Sequence, residues 1–515
     1  MKLKTFIRGL WERTHGSAKF GACLTAALIA TLVVFNTVLY GLSNHFSWYF
    51  YTDTKLEHTI SGVTDEYLRE VSGSEVTILF CDNQEDLESD SVYNLVWQTA
   101  NQYAERYDFV TVETVNIFVN PERVAPYKYE KNPETGAYVV DPETGKYVTL
   151  NPIDTSSVIF VGGETYAVLT MQSFFVLDSD DLITAYNGEE VVASMIHRVQ
   201  NGNMPKAYFT ANHGETYAMA FYNRLLCAGY VLEPVDLMTQ DIEVGEGNLL
   251  IISNPQYDFV RGNQASGIVG ELDKIDAFLS EGGSVWTMLD PLVTNTVQLE
   301  GFLTSWGITV ERAYVEDEVT GNTVTEAVMV RDSIDSVTTD GYSLITTPSG
   351  SDLATDFLEK MDEVEAGRVI ISRVSPLALT DVTGKTVSSL LSSSSSSRAY
   401  AAGDVYDDRG NFSVAAHSRD NQSGGQVFAV GSVYFTAQNA ITTNEYGNKD
   451  MIFLLLKELS HISVPMGCTY LIFTPTTLED LTMAEARLWT ALLAGVIPVG
   501  IGICGVAILG KRRYR

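Results

Sequence analysis

The chain has 515 residues and a formal net charge of −32, from 65 acidic against 33 basic side chains. That length exceeds what one core organises, so two or three domains are expected. An acidity of this size excludes electrostatic capture of nucleic acid or of an anionic lipid surface.

Residues 1–19 form a basic tail: Lys2, Lys4, Arg8, Arg13 and Lys19 stand against Glu12. The run 20–42 carries no charge and is long enough to span a bilayer. A second apolar run, 488–510, closes on the basic tail 511–515. Basic flanks stay cytoplasmic, so two transmembrane helices are expected, with both termini cytoplasmic. The main domain is then extracytoplasmic at the cell membrane. No small-x-small site follows the first run, which favours an anchor over a cleaved signal peptide. Apart from the two tails, each +4, the chain carries −40.

After a connector over 43–74, the segment 75–205 reads as a small α/β domain. Strands are expected at 75–81, 109–118 and 157–162, and helices at 92–107 and 187–199. A hairpin is expected at 165–177. Within the insertion 121–152 the sequence repeats itself. Asn132-Pro133-Glu134-Thr135-Gly136 is followed by Asp141-Pro142-Glu143-Thr144-Gly145. Asn or Asp, then Pro, then Gly at the left-handed position predicts two successive β-turns.

The segment 206–470 is expected to hold the main domain. Its first part alternates strand, helix, strand, strand, helix, strand. The run 206–211 is extended, and Glu215 opens a helix whose apolar positions Ala218, Phe221, Tyr222, Leu225 and Leu226 fall at helical spacing. The solid apolar runs 249–252 and 285–289 read as strands buried on both faces. Between them Ile268, Leu272, Ile275 and Leu279 make a second helical stripe. Such alternation predicts a Rossmann-like parallel sheet with helices on both faces. Ligands bind such sheets at the carboxyl ends of the strands. The loops there carry His213, Glu215, Ser253, Asn254 and Asp290, which makes these five the candidate ligand-binding residues. Each also has an ordinary use: Glu215 as an acid in a first helical turn, Asp290-Pro291 as a turn, His213 on a loop carbonyl.

Beyond Asp290, a helix is expected at 297–306 and a strand at 308–315. From 316 to about 386 the pattern weakens to irregular β structure. The serine-rich tract 388–397 reads as linker, with Leu390 and Leu391 as its anchors. Strands are expected at 412–416 and 427–430 and an apolar helix at 450–459. A juxtamembrane stretch over 471–487 leads to the second span.

Of the five cysteines, only Cys81, Cys227 and Cys468 fall outside the two apolar runs, so no disulfide framework is expected. Their spacing and that of the histidines carries no metal-ligand pattern, and neither metal nor cofactor is expected. There is no G-x-x-x-x-G-K-[ST] phosphate loop, no G-x-S-x-G elbow and no H-E-x-x-H. No G-x-G-x-x-G follows a strand.

Four stretches in order carry a resemblance: Asn187-Gly-Glu-Glu-Val-Val-Ala-Ser-Met-Ile, His213-Gly-Glu, Leu249-Leu-Ile-Ile-Ser-Asn-Pro and Gly282-Gly-Ser-Val-Trp-Thr-Met-Leu-Asp-Pro. Together with the closing apolar helix and basic tail, they resemble the GldG-like auxiliary components of ABC transporters. The resemblance implies a glutamine-amidotransferase-like or related Rossmann-like ectodomain. It also implies partners, an ABC permease and a separate cytoplasmic ATPase, beside which the chain binds or gates cargo. Amidotransferases place a cysteine on a sharp turn after a strand. The comparable turn here reads Ser253-Asn254-Pro255, so a non-catalytic role is expected. Two alternatives stay open: an extracytoplasmic hydrolase using His213, Glu215 and Asp290, and a structural surface protein.

Overall fold

A computed structural model describes residues 60–69, 74–90, 92–177, 182–202, 204–245, 247–262, 267, 269–316, 323–349, 352–362, 368–460 and 464–473. The chain divides into two compact units, 1–58 and 59–515, and the described residues all belong to the second. The expectation of a membrane-spanning chain with an extracytoplasmic body is corrected here. No helix among the described residues is long and apolar enough to cross a membrane. The runs 20–42 and 488–510, the two tails and the juxtamembrane stretch from 474 on lie outside the described residues.

The first sheet has the order β2-β1-β3-β4, built from β1 (Val76–Phe80), β2 (Val110–Thr114), β3 (Ser157–Gly162) and β4 (Thr165–Thr170). β1 runs parallel to β2 and antiparallel to β3. The helix Tyr93–Arg106 links β1 to β2 and buries Val96, Ala100 and Tyr103. The repeat between β2 and β3 folds as two matching turns. Asn132 Oδ1 accepts from the amides of Glu134 and Thr135, and Asp141 Oδ1 from those of Glu143 and Thr144. Tyr129, Tyr138 and Tyr147 gather beside the turns, with ring centroids 5.3–5.8 Å apart. The expected hairpin over 165–177 is instead split. β4 pairs with β3, while β5 (Phe175–Leu177) pairs with β6 (Ile183–Tyr186). A single 3-10 turn, Met171–Phe174, separates them and buries Met171 and Phe174.

The central sheet has nine strands. Its parallel half comprises β7 (Lys206–Thr210), β8 (Val231–Val235), β9 (Leu249–Ser253), β10 (Ser284–Met288) and a last strand, Gln426–Val430. They lie in the order β8-β7-β9-β10 and then Gln426–Val430, every pair parallel. In chain order this is 2-1-3-4-5, a doubly wound arrangement. Alternate residues serve opposite faces. Phe209, Leu249, Ile251, Trp286, Met288 and Phe428 join the cluster under the helices Gly188–Asn201, Met219–Cys227 and Asn448–Ser460. Tyr208, Leu250, Ile252, Val285 and Val427 join the cluster under Glu271–Ser280 and Val297–Ser305. β9, β10 and Gln426–Val430 are buried along their whole length because neither of their faces meets water, whereas the edge strand β8 is only partly buried. The first cluster also takes in Val76 and Phe80 from the first sheet and Tyr103 from the helix Tyr93–Arg106, so one apolar core runs across residue 206.

The strand expected at 308–315 is two strands in two sheets: β11 (Ile308–Val310) and β12 (Arg312–Glu316). The break falls at Glu311, whose amide donates to Pro376 O. β13 (Thr323–Arg331), β14 (Ser343–Pro348), β15 (Val369–Ser372) and β16 (Leu377–Leu379) follow, with the helix Asp352–Asp362 between β14 and β15. β17 (Lys385–Ser392) lies inside the central sheet between β14 and β20 (Ser413–Asp420), and β20 pairs antiparallel with Gln426–Val430. β18 (Arg398–Ala401) and β19 (Asp404–Asp407) extend the β12–β13 sheet.

The serine-rich tract is therefore not a linker. Its first half is β17, with Leu390 and Leu391 fully buried. Its second half wraps a buried carboxylate. The hydroxyls of Ser394, Ser396 and Ser397 all donate to Asp332, as do the amides of Ile334 and Asp335. Burial alone would raise the Asp332 pKa, but the donors from Ser394, the two amides and Ser396 outweigh it and hold the group at about 2. A depressed carboxylate stabilises the fold above its unfolded value, 3.8, and that stabilisation is lost as pH falls through about 2. Asp332→Ala is expected to lower stability at neutral pH by about 2–3 kcal/mol. Urea midpoints of wild type and variant should converge as pH approaches 2; a constant gap would refute this role for the charge.

Candidate functional site

The carboxyl edge of the parallel half brings four of the five expected residues near one another, and the reason is structural. Gly214 follows His213 with a φ of 74°, and a Cβ there would sit 3.0 Å from Gln256 Cβ. The turn can therefore fold tightly over the loop after β9, where the amides of Gln256 and Tyr257 both donate to His213 O. Glu215 does not open the helix, which begins at Met219. Its carboxylate turns back instead, accepting from His213 N at 2.8 Å and from His213 Nδ1 at 3.1 Å. The expected start at 215 fails because this acid serves the preceding loop.

The other side of the imidazole faces a residue that sequence reading did not single out. Glu271, at the first position of the helix Glu271–Ser280, lies 3.1 Å from His213 Nε2 and also accepts from Val260 N. Gly270 makes this approach feasible, since a Cβ there would meet Gly262 N at 2.3 Å and Val260 O at 2.5 Å. Phe259 stacks on the imidazole at 3.9 Å with the planes 8° apart. The side chains of His213, Glu215 and Glu271 are 7%, 4% and 1% exposed. An ionised carboxylate only accepts hydrogen bonds, so with both acids ionised both ring nitrogens donate and the ring is an imidazolium. Burial pulls the His213 pKa down, but the bonds and charges of Glu215 and Glu271 outweigh it and raise the pKa above the usual 6.5. Burial pushes Glu215 up, and the bonds from the His213 ring, its own amide, Thr210 and the His213 amide together outweigh it and lower the pKa.

Ser253 and Asn254 close the crevice between the β7 and β9 loops, where the strand order reverses. Ser253 Oγ donates to Thr216 O at 2.9 Å, and Thr216 N donates to Ser253 O at 3.3 Å. Asn254 Nδ2 donates to Thr216 Oγ1 at 2.7 Å, while Asn254 Oδ1 accepts from Gln256. Asp290 is not drawn into this group. It forms its own turn, accepting from Leu292 N at 2.9 Å while its carbonyl accepts from Val293 N. The hydrolase arrangement of His213, Glu215 and Asp290 is therefore not assembled: the imidazole is held by Glu215 and Glu271.

The three described cysteines are all buried and free. Burial, with Asp154 and Asp82 nearby, pushes the Cys81 thiol up to about 12. Burial, with Glu189, does the same to Cys468. Burial also raises Cys227, in spite of Arg224 and Lys449. No group of three or more His, Cys, Asp or Glu side chains among the described residues is placed to hold a metal ion.

No protein-family model matches the chain. No curated protein matches it. Among solved structures, PurLQS from Thermotoga maritima aligns with 13% identity over 49% of this chain and 98% of the matched chain, at a TM-score of 0.27. A likeness at that score bears on neither fold nor function.

Proposed function

We propose that the chain is a non-catalytic binding module, a GldG-like accessory component that works beside an ABC permease and its separate ATPase. The observation that carries the non-catalytic part is the closed crevice. In a 2-1-3-4-5 sheet, ligands enter where strand order reverses. Here that place is stitched together by Ser253, Asn254 and Thr216. The imidazole there is clamped between two buried carboxylates. Among the described residues, the Ser253 hydroxyl is spent on Thr216 O and the imidazole on the two acids, which supports binding over nucleophilic or base chemistry there.

The finer fold reading, a Rossmann-like and glutamine-amidotransferase-like domain, draws support from the five parallel strands and their doubly wound order. The turn after β9 holds Asn254 at a φ of 52°, the sharp strand-to-loop bend on which an amidotransferase would carry its cysteine. An asparagine that bonds its own loop sits there instead. The transporter partners rest on the resemblance, and on a body whose acidity favours protein over nucleic-acid partners.

Affinity purification of the tagged full chain from its native cells, after mild crosslinking, is the direct test. Recovery of one multi-span ABC permease and one ABC ATPase is the expected result. Recovery of the chain without either protein would overturn the partner assignment. Hydrolytic turnover abolished by Glu271→Gln in a folded variant would overturn the non-catalytic one.

A further inference from the structure

A second place in the molecule gathers several unmet polar groups around one cavity. A cavity of about 320 Å³ opens between the helices Gly188–Asn201 and Met219–Cys227, with β5, Gln438 and Tyr470 completing its wall. That is room for roughly ten waters, enough for a small metabolite. Val191, Met195, Met219 and Leu226 give it an apolar side.

Three buried polar groups line the other side. Asn187, Arg224 and Tyr470 are each 4% exposed. Asn187 Oδ1, Arg224 Nε and the Tyr470 hydroxyl have no hydrogen-bond partner. Such groups in a native interior are ordinarily satisfied, and three on one cavity call for a ligand. The amide orientation of Asn187 is fixed by chemistry. Its Nδ2 donates at 3.1 Å to Glu190, a carboxylate that can only accept, so Oδ1 is the atom left over. Asn187 also precedes the helix Gly188–Asn201, where an asparagine oxygen would ordinarily cap a backbone amide, yet it makes no cap bond. Arg224 is ion-paired with Glu190 through Nη1, which leaves Nε as the donor without a partner. Lys449 lies 3.2 Å from Glu190, so two cations share that carboxylate. A buried guanidinium whose Nε lacks a partner favours a charge-assisted bond to an anion.

The geometry points to a site for a small monocarboxylic acid that bears an apolar side chain and an α-amino or α-hydroxyl group. The carboxylate accepts from Arg224 Nε and the Tyr470 hydroxyl. The α-group donates to Asn187 Oδ1. The side chain lies against Met195, Val191 and Leu226. This site is separate from the sheet edge, and its occupancy stands or falls whether or not a permease is recovered with the chain.

Calorimetric titration of the full chain with four probes tests each contact. L-Leucine and L-2-hydroxy-4-methylpentanoate carry both head groups; 4-methylpentanoate lacks the α-donor and leucinamide lacks the carboxylate. At least one of the first two should bind, and which one does so identifies the α-group. The two truncated probes should bind at least about tenfold more weakly, the loss expected for one charge-assisted hydrogen bond. Asn187→Ala and Arg224→Lys should weaken the productive probe by a similar factor. Leu226→Trp, which fills the cavity from its partly exposed rim, should abolish binding in a chain that melts as wild type does. Absence of binding by both complete acids up to about 10 mM, near the limit of useful affinity, would overturn the proposal. So would binding that survives Leu226→Trp, or truncated probes that bind as well as complete ones.

Discussion

His213→Leu is expected to destabilise the fold by about 3–5 kcal/mol, because it strips the shared cation from two buried carboxylates. Glu215 and Glu271 keep their burial and lose the group that both of them face. The pH dependence follows from the raised imidazole. A histidine with an elevated folded pKa stabilises fully below its unfolded value, 6.5, and that stabilisation fades as pH rises through the folded one. Wild type should therefore lose stability as pH rises above 6.5. In acid the orphaned carboxylates can take up protons, so the deficit should shrink there. Urea unfolding across this range reads both effects. A variant within about 0.5 kcal/mol of wild type at neutral pH, the range of an ordinary surface change, would show that the clamp is not structural. Loss of binding in such a well-folded variant would return His213 to the role of a ligand contact.

The contrast between this clamp and its sequence shows what a chain reveals locally. β9 and β10 were legible because burial on both faces writes itself as an unbroken apolar run, Leu249 to Ile252 and Val285 to Leu289. Their parallel pairing followed from the helical stripes between them. Loop ends were legible for the same reason: His213, Ser253 and Asn254 had to emerge at one edge. What occupies them there was not. Glu271 lies 58 residues from His213 and looks like any acid at a helix start, so nothing local marks its second partner. Glu215 sits before a helical stripe and reads as its first turn, whereas a contact two residues back decides its place. The serine tract misleads through composition. Serine has little preference of its own, and its hydroxyls became informative only once Asp332, more than sixty residues away, lay beneath them. The division at Glu311 was silent too, since one extended run, 308–315, covers both strands and nothing local marks the residue at which the chain changes sheets.

Glu190→Ala is expected to produce a loss of the same order, about 3–5 kcal/mol, at the opposite face of the sheet. Glu190 is fully buried and joins three helices. It lies on Gly188–Asn201 and pairs with Arg224 on Met219–Cys227 and Lys449 on Asn448–Ser460. Arg224 also stands 5.5 Å from the Phe453 ring and Lys449 5.0 Å from that of Tyr470. Removing the acid leaves two buried cations, and the aromatic faces replace only part of the lost pairing. Glu190→Gln should cost less than Glu190→Ala, since its amide oxygen still accepts from Arg224. The triple variant Glu190→Leu, Arg224→Met, Lys449→Met removes every charge together and should recover most of the loss, because an apolar replacement carries no stranded ion. Thermal and urea unfolding of the single, conservative and triple variants form the test. A triple variant as unstable as Glu190→Ala would mean that hydrogen-bond geometry, not stranded charge, holds the three helices together.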